Sequence, residues 1–304
     1  PQSLDTSNVV DNTCNGGMTG SITVNFVNAT GIVSYDWNPG GVQNATQNGL
    51  AAGVYNITAT DANACTVSGS ATVNQPAAPV MTTTTVDAAC FGGNGSATAN
   101  PTGGGPFNYT WSSNGSNSQT ITPPAGNYTV SASDANSCNQ TATFTINQPA
   151  GMTVAETHTD LLCFGDANGT IDLTPSGGVG PNYTYAWSPN VSAGNSASLL
   201  TAGMYIITIT DQAMCPTIDT ITLVQPSQAV TVNIQSNNIT CFGLSNGKII
   251  VNTTGGTGPY TYTWNPNVSS IDSATNLIPG TYNITVADAN NCSVVPMVTI
   301  SQPN

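Results

Sequence analysis

The sequence predicts an all-β chain of four tandem Ig-like β-sandwich modules in an extended beads-on-a-string or rod arrangement. Three observations support this prediction: an internal repeat of about 75 residues, apolar side chains that alternate with a period of two, and turn-forming glycine and asparagine between the alternating segments. About seven short strands in a unit of this size are typical of an Ig-like sandwich.

Each repeat carries the same landmarks in the same order: a first cysteine, a tryptophan, a tyrosine, a second cysteine and a closing Gln-Pro. The tryptophans are Trp37, Trp111, Trp187 and Trp264, the tyrosines are Tyr55, Tyr128, Tyr205 and Tyr282, and the Gln-Pro pairs begin at Gln75, Gln148, Gln225 and Gln302. The predicted modules are residues 1–76, 77–149, 150–226 and 227–304, joined by short Gln-Pro linkers that the proline stiffens. Because Pro1 matches the proline of a Gln-Pro pair, we expect the chain to be a segment of a longer array.

The aromatic strand shows the alternation most clearly. In "PYTYTWNP" the side chains of Tyr260, Tyr262 and Trp264 share one face, and threonines occupy the other. No segment has a 3.6-residue pattern long enough to predict a helix. Asn-Gly pairs are predicted to supply the positive φ of tight turns; they are Asn94-Gly95, Asn168-Gly169 and Asn246-Gly247.

Composition excludes several classes of partner. Charged residues make up 5% of the chain, the formal net charge is −13, and there is one lysine and no arginine. Nucleic acid is therefore not expected as a partner, because no cations are present to neutralise phosphates. A polybasic membrane anchor is excluded for the same reason, and no apolar run is long enough to predict membrane insertion.

The eight cysteines predict structural disulfides. Eight cysteines permit 105 pairings, but two per repeat favour one bridge inside each module, and the predicted bridges are Cys14–Cys65, Cys90–Cys138, Cys163–Cys215 and Cys241–Cys292. Closing a loop of about fifty residues would stabilise each small module by about 4 kcal/mol. Persistent disulfides predict an extracellular location. Two sulfurs per module and a single histidine in the chain do not make a zinc site.

An aspartate stands four residues before each second cysteine, as in "DANAC" and "DANNC". We expect this carboxylate to cap a turn by accepting hydrogen bonds from nearby backbone amides. The alternative is a calcium site, for which the third module offers Asp166, Asn168 and Asp172. The fourth module has no acids at these positions, so no cofactor or metal site is predicted, and Ca²⁺ stays as the alternative.

The repeat resembles a known family. "CFGGNGSATANPTGGGPFNYTW" with "PAGNYTVSASDANSC", and "CFGLSNGKIIVNTTGGTGPYTYTW" with "IPGTYNITVADANNC" and "VTISQP", resemble the SprB repeat of large Bacteroidetes cell-surface adhesins. The resemblance covers all four repeats and is weakest in the first, where "CNGGMTG" replaces Cys-Phe-Gly. It implies export across the outer membrane, tandem Ig-like modules and a role in surface adhesion or gliding motility. It implies no catalytic residues.

Catalysis is not expected from the residues either. Nucleophilic triads need a histidine, and His158 is the only one in the chain. Its position in "AETHTD" has no equivalent in the other repeats and predicts a solvated loop residue. Glu156 is the only glutamate, and the other acids are scattered singly, so a pair of carboxylates facing a cleft is not expected.

The predicted function is a non-catalytic structural segment of an extracellular filament or adhesin stalk on the bacterial cell surface, with copies of itself as partners in a fibre or longer array. The alternative is a lectin-like adhesin module that binds surface polysaccharide through exposed aromatic residues. The alternation predicts that the aromatic side chains are core residues, which favours the structural role.

A surface with so few charges lacks the usual protection against association, so covalent glycans are a further prediction. Two short motifs resemble a bacterial O-glycosylation signal, and several Asn-x-Ser/Thr triplets are present. The candidate sites are Thr220 and Ser273 for O-linked glycans and Asn28, Asn56, Asn182, Asn238 and Asn267 for N-linked glycans.

Overall fold

The computed structural model describes residues 1–41 and 43–304 as strands, turns and loops, with no helix in those ranges. The chain forms two compact units, Pro1–Gln148 and Pro149–Asn304. Each unit contains two of the four repeats. None of the described residues belongs to a helix that could cross a membrane.

The first unit contains two successive sets of six strands. The first module has β1 (Ser3–Val10), β2 (Gly20–Val27), β3 (Ser34–Asn38), β4 (Thr46–Leu50), β5 (Gly53–Thr60) and β6 (Thr66–Val73). The second has β7 (Met81–Val86), β8 (Ser96–Pro101), β9 (Asn108–Trp111), β10 (Thr120–Ile121), β11 (Gly126–Ser133) and β12 (Asn139–Ile146).

The second unit repeats this arrangement. The third module has β13 (Thr153–Thr159), β14 (Gly169–Ser176), β15 (Thr184–Ser188), β16 (Ser196–Leu200), β17 (Gly203–Thr210) and β18 (Pro216–Leu223). The fourth has β19 (Thr231–Asn237), β20 (Gly247–Thr254), β21 (Thr261–Asn265), β22 (Ser273–Leu277), β23 (Gly280–Ala287), β24 (Ser293–Val294) and β25 (Met297–Ile300). Here β24 and β25 both pair with β23 and replace one continuous strand.

Every module consists of two antiparallel sheets. One sheet has the strand order first-second-fourth and the other third-fifth-sixth, as in β13-β14-β16 and β15-β17-β18. This is an Ig-like topology with six strands in the first three modules and seven in the fourth, where β24 and β25 are separate, against the prediction of about seven. Between β15 and β16, residues 189–195 form no further strand. The four-module, all-β fold is confirmed; the exact module boundaries and the extended arrangement stay predictions.

Each module has a hydrophobic core of its own, built from the alternation that the sequence shows. In β23 the side chains of Tyr282, Ile284 and Val286 are buried, and the residues between them face outward or are only partly covered. The tryptophan of each module is at most 6% exposed, and its indole N–H donates a hydrogen bond to the carbonyl seven residues later; the acceptors are Asn44, Ser118, Gly194 and Ile271. The prediction that the tryptophans are core residues is confirmed.

A tyrosine corner fixes the connection between the two sheets. The hydroxyl of each corner tyrosine donates to the carbonyl four residues earlier, just before the fifth strand begins. The pairs are Tyr55–Ala51 at 3.0 Å, Tyr128–Pro124 at 2.9 Å, Tyr205–Thr201 at 2.8 Å and Tyr282–Ile278 at 2.9 Å. The same corner is a hallmark of Ig-like sandwiches.

The prediction for the Asn-Gly pairs is wrong. Gly95, Gly169 and Gly247 do not adopt positive φ; Gly169 and Gly247 begin the second strand of their modules. A Cβ on Gly169 would lie 2.7 Å from Leu223 Cδ1, and one on Gly247 would lie 2.8 Å from Ile300 Cγ2. Glycine is needed there because the strand passes so close to the core, and not because of its backbone conformation.

Replacing Tyr282 by phenylalanine tests the corner. Tyr282→Phe removes the bond to the Ile278 carbonyl, so we expect the opening free energy of β23 to fall by about 1 kcal/mol. Amide hydrogen exchange of β23 measures it. The control Thr281→Val, on the exposed face of the same strand, should change the opening free energy by less than about 0.5 kcal/mol. Equal effects of the two variants would contradict the role of the hydroxyl.

Candidate functional site

The two cysteines of each module lie in two recurring turns. The first turn, here called the CxG turn, comprises Cys14–Gly17, Cys90–Gly93, Cys163–Asp166 and Cys241–Leu244. The second, called the Asp turn, comprises Asp61–Cys65, Asp134–Cys138, Asp211–Cys215 and Asp288–Cys292. Each turn is anchored to the sandwich that carries it, and the anchors determine where the sulfur atoms lie.

The CxG turn is closed by its own backbone. The amide of the fourth residue donates to the cysteine carbonyl, as from Gly17 to Cys14 at 3.1 Å and from Leu244 to Cys241 at 3.2 Å. The third residue is a glycine with φ between 71° and 80° in all four modules. A side chain at this position would be strained, which explains the glycine in the Cys-Phe-Gly motif.

The glutamine of each Gln-Pro pair anchors the CxG turn. Its Oε1 accepts a hydrogen bond from the amide of the turn glycine, and the pairs are Gln75–Gly16, Gln148–Gly92 and Gln225–Gly165 at 2.8 Å and Gln302–Gly243 at 3.3 Å. The sequence pattern predicts a linker at Gln-Pro and does not predict this anchoring role of the glutamine. The signal was present, because a rigid linker needs the proline but does not explain a glutamine before it in all four repeats.

A second anchor lies just before the first cysteine. A side-chain oxygen there accepts a hydrogen bond from a backbone amide near the end of the module. The bonds run from Asn74 to Asp11, Asn147 to Asp87, Val224 to Asp160 and Ser301 to Asn238, at 2.8–3.0 Å. The CxG turn is thus held beside the C-terminal end of its own module. Asn238, a predicted N-glycosylation site, has its side-chain oxygen in this bond.

The Asp turn is organised by the carboxylate, as predicted. One carboxylate oxygen accepts the amides of the second and fourth residues after the aspartate, the fourth being the cysteine. These bonds measure 2.9–3.0 Å and run from Asn63 and Cys65 to Asp61, Asn136 and Cys138 to Asp134, Ala213 and Cys215 to Asp211, and Asn290 and Cys292 to Asp288. The residue before each second cysteine has positive φ.

In three modules the other carboxylate oxygen takes a further amide. Asp288 Oδ2 accepts Thr257 N at 2.8 Å, and a Cβ on the neighbouring Gly256 would lie 2.5 Å from the same oxygen. The Gly-Gly pair before the aromatic strand therefore allows this loop to approach the carboxylate.

These hydrogen bonds lower the pKa of the turn carboxylates of Asp61, Asp211 and Asp288. The amide of Cys65, followed by those of Thr30 and Asn63, holds the pKa of Asp61 below its ordinary value although burial opposes the shift. The amides of Cys215 and Val179 lower the pKa of Asp211 in the same way. For Asp288 burial is the largest single effect and raises the pKa, but the amides of Thr257, Cys292 and Asn290 together outweigh it.

The two turns lie at opposite ends of a module. Cys14 lies beside Gln75 and Pro76, where the chain leaves the first module, since Asn15 Nδ2 donates to the Pro76 carbonyl at 3.0 Å. Cys65 lies near the start of the module, where the Gln2 amide donates to Asp61 Oδ2 at 3.1 Å. The strand β6 runs between these ends, and eight residues span about 25 Å.

The predicted disulfide pairing is therefore wrong. Bonded cysteines need Cα atoms about 4.4–6.8 Å apart, and the length of a strand keeps the two cysteines of one module out of reach. The bridges are instead Cys14–Cys138 and Cys163–Cys292, each with a Cα–Cα distance of 5.6 Å. Each joins the CxG turn of one module to the Asp turn of the next. This excludes the predicted pairs Cys14–Cys65, Cys90–Cys138, Cys163–Cys215 and Cys241–Cys292.

The remaining cysteines fall into two groups. Cys90 and Cys215 are also disulfide-bonded. Cys65 and Cys241 are exposed free thiols. Cys65 is the second cysteine of the first module and Cys241 is the first cysteine of the last module.

Noncovalent contacts accompany the bridges. Around Cys14–Cys138, a cleft of about 240 Å³ is lined by residues of both modules, among them Pro76, Ala77 and Gln140. In the second unit, Asn290 Nδ2 donates to the Leu162 carbonyl at 3.1 Å. Phe164 lines a cleft there together with Ala229 and Val230 of the following module.

The calcium candidates receive no support from the geometry. Asn168 Nδ2 donates to Asp166 Oδ2 at 3.2 Å, and Asp172 is exposed on β14. In residues 1–41 and 43–304, no three histidine, cysteine, aspartate or glutamate residues are grouped as metal ligands.

His158 lies on the strand β13 and not in a loop, but it is solvent-exposed as predicted. Its Nδ1 lies 3.0 Å from Glu156 Oε2, and its Nε2 lies 4.0 Å from Asp160 Oδ1. A contact of this kind between exposed groups is worth little energetically.

The glycosylation candidates are accessible, and their modification stays a prediction. Ser273 is half-buried in β22, and the other candidates are exposed; these are Thr220, Asn28, Asn56, Asn182, Asn238 and Asn267.

The comparison with known families follows the same repeat. The SprB repeat matches residues 6–42, 82–116, 155–192 and 233–269, one segment in each module. Each match includes the first cysteine and the core tryptophan. The chain belongs to the SprB-repeat family. It is a tandem-repeat protein of the cell-surface structural or adhesin type, a class that is in general non-enzymatic, and its disulfides fit an extracellular setting.

A search of curated proteins finds no match to this SprB-repeat chain. Similar solved structures include the N-terminal eight Ig domains of Down syndrome cell adhesion molecule isoform 1.30.30, with 12% identity and a TM-score of 0.41 over 100% of this chain and 49% of that one. The chain thus spans about half of that structure. The N-terminal four Ig domains of Dscam1 isoform 6.44 share 10% identity, with a TM-score of 0.24 and 99% of both chains covered.

Domains 1–6 of the surface layer protein SbsC share 13% identity and a TM-score of 0.24, over 99% of this chain and 55% of that one. The Ig-like assignment of the SprB repeats rests on their strand order and tyrosine corners.

The lowered pKa of Asp211 predicts a pH dependence. Because its pKa is lower in the folded state than the ordinary value of about 3.9, the carboxylate stabilises the module fully above that value, and the contribution is lost as the pH falls through the folded pKa. Thermal unfolding of the wild type and Asp211→Asn should therefore differ most near pH 7 and converge below about pH 4. The exposed Asp36→Asn is the charge-matched control. A difference independent of pH would contradict the prediction.

The anchoring glutamine can be tested by removing its oxygen. Gln225→Ala leaves the Gly165 amide without its acceptor, so we expect the exchange rate of that amide to rise about five- to tenfold, equivalent to about 1 kcal/mol. Gln225→Glu keeps an acceptor oxygen and should exchange at nearly the wild-type rate. NMR-detected hydrogen exchange measures both variants, and equal acceleration in the two would show that the bond does not hold the turn.

Proposed function

We propose that the chain is a load-bearing, non-catalytic segment of an extracellular stalk or filament on the bacterial cell surface. The observation that carries the proposal is that the bridges Cys14–Cys138 and Cys163–Cys292 each join a module to the next one. A bridge inside a module protects only that module, whereas a bridge across a joint prevents two modules from separating.

The bridges shorten the covalent path that tension must follow. A force applied to the two chain ends passes from Cys14 directly to Cys138 and from Cys163 directly to Cys292. The bridges leave segments of 124 and 129 residues of the 304-residue chain outside the force-bearing path. About fifty residues remain in that path, and their fully extended length is about 180 Å. The rest of the chain is shielded from extension while the bridges are intact.

The core supports the same role. The tryptophans and three of the four corner tyrosines are buried, so these side chains hold the sandwich together and are not available to stack on a sugar. The exposed phenylalanines are those of the CxG turns, Phe91, Phe164 and Phe242, and each directly follows the first cysteine of its module in the sequence.

Single-molecule force spectroscopy of the four-module chain, held at its two ends, tests the proposal. The oxidised chain should extend no further than about 180 Å, and the fully reduced chain should reach about 1,000 Å. Bridges confined to single modules would leave about a hundred residues in the path, or roughly 350 Å. The variant Cys163→Ser should lengthen the oxidised limit by at least about 300 Å, and the control Cys65→Ser should not change it.

An oxidised chain that extends as far as the reduced one would overturn the load-bearing role. A limit near 350 Å would overturn the bridges across the joints and leave a stalk of independently stapled modules.

A further inference from the structure

The bridges across the joints follow one rule: the first cysteine of a module bonds the second cysteine of the module that follows. Cys14–Cys138 obeys this rule in the first unit and Cys163–Cys292 in the second, with the same Cα–Cα distance of 5.6 Å. Under this rule Cys241 requires a following module and Cys65 a preceding one.

We propose that Cys241 and Cys65 are the two halves of a further bridge of the same kind, formed between one copy of this chain and the next. Cys241 of one copy bonds Cys65 of the second copy, so that successive copies join head to tail. The inference extends the proposed stalk function and rests on it for the setting, but its chemistry follows from the bridges within each unit.

Both free cysteines are presented in the geometry of their bonded equivalents. The amide of Cys65 donates to Asp61 at 3.0 Å, as those of Cys138 and Cys292 donate to their aspartates at 2.9 Å. Gly243, two residues after Cys241, is held by Gln302 as Gly165 is held by Gln225. Each thiol is exposed and already in position for a partner module.

The apolar surface beside Cys241 corresponds to the one that a following module contacts beside Cys163, but here it is exposed. Phe242 is 72% exposed and its neighbour Leu244 is 47% exposed, whereas the equivalent Phe164 is 47% exposed and lies in a cleft with residues of the following module. A module placed on Cys241 would cover this apolar surface, and the first module of a second copy has the Asp turn that such a joint requires.

Closing the bridge needs an oxidant of the disulfide class, such as oxidised glutathione. The Cys241 thiolate attacks one glutathione sulfur and releases the first molecule of reduced glutathione. The Cys65 thiolate of the next copy then attacks the Cys241 sulfur of the mixed disulfide and releases the second. Two thiols are oxidised and one disulfide is reduced, and the two protons lost by the cysteines are taken up by the two glutathione thiolates that leave.

The test mixes two single variants of the full four-module chain, Cys65→Ser and Cys241→Ser, in oxidised glutathione. Each variant alone keeps one half of the joint and should stay monomeric. The mixture should form a covalent dimer, several-fold more abundant than in either variant alone on non-reducing gels. The wild type should form a ladder of higher oligomers, and the double variant should stay monomeric. Peptic peptides should contain Cys65 linked to Cys241.

Three results would overturn the proposal. They are dimers of each single variant as abundant as in the mixture, wild-type monomers with both thiols retained or capped by glutathione, and monomers in which both thiols are lost to a bond inside one chain. None of these results changes the length limit of the oxidised chain under force, so failure of this inference is distinguishable from failure of the proposed function.

Discussion

The direction of the strands is the constraint on which the rest of the structure depends. In each sandwich the CxG turn follows the first strand and the Asp turn precedes the last, and these turns lie at opposite ends because the strands between them run the length of the module. About 25 Å separates two cysteines that would need to lie within 7 Å of each other. A module therefore cannot close its own disulfide, and only neighbouring modules bring two cysteines together.

The hydrogen bonds around the two turns hold the two cysteines of a module at its opposite ends, where each can reach a neighbouring module. Gln75 and Asp11 fasten one cysteine turn to the C-terminal end of the first module, and Asp61 fastens the other near its start. Each sulfur is thereby held at an end of its own module and not on a free loop. In the chain-entropy account, bridges with separations of 124 and 129 residues contribute about 5 kcal/mol each, and this stabilisation belongs to a pair of modules. For sandwiches with small cores, the partner module thus replaces the internal bridge of a larger Ig domain.

Much of the fold could be predicted from the sequence because it depends on local patterns. Period-two alternation around Trp264 and Tyr282 predicts both the strands and their buried faces, and the aspartate before Cys292 predicts the turn that it caps. The disulfide pairing could not be predicted in this way. The cysteines have the same spacing in the sequence whether each bridge closes within a module or joins one module to the next. Only the three-dimensional path of the strands distinguishes these two pairings.

Two smaller errors have the same origin. Gly169 and Gly247 follow asparagine, as turn glycines often do, but packing against Leu223 and Ile300 explains them. Gln225 stands next to a proline that accounts for a linker, and its bond to Gly165 links residues sixty positions apart. Both roles depend on contacts between segments distant in the chain, which a local pattern does not contain.

The long bridges also determine whether the chain separates into fragments when one peptide bond is hydrolysed. Lys248, the only lysine and the only site at which trypsin could cut, lies between Cys163 and Cys292, so hydrolysis after it leaves both fragments joined through sulfur. The same holds for any single cut between Cys14 and Cys138. Most of the backbone therefore lies between two bridged cysteines. Hydrolysis of one peptide bond there damages a module, but the two fragments stay connected through the disulfide.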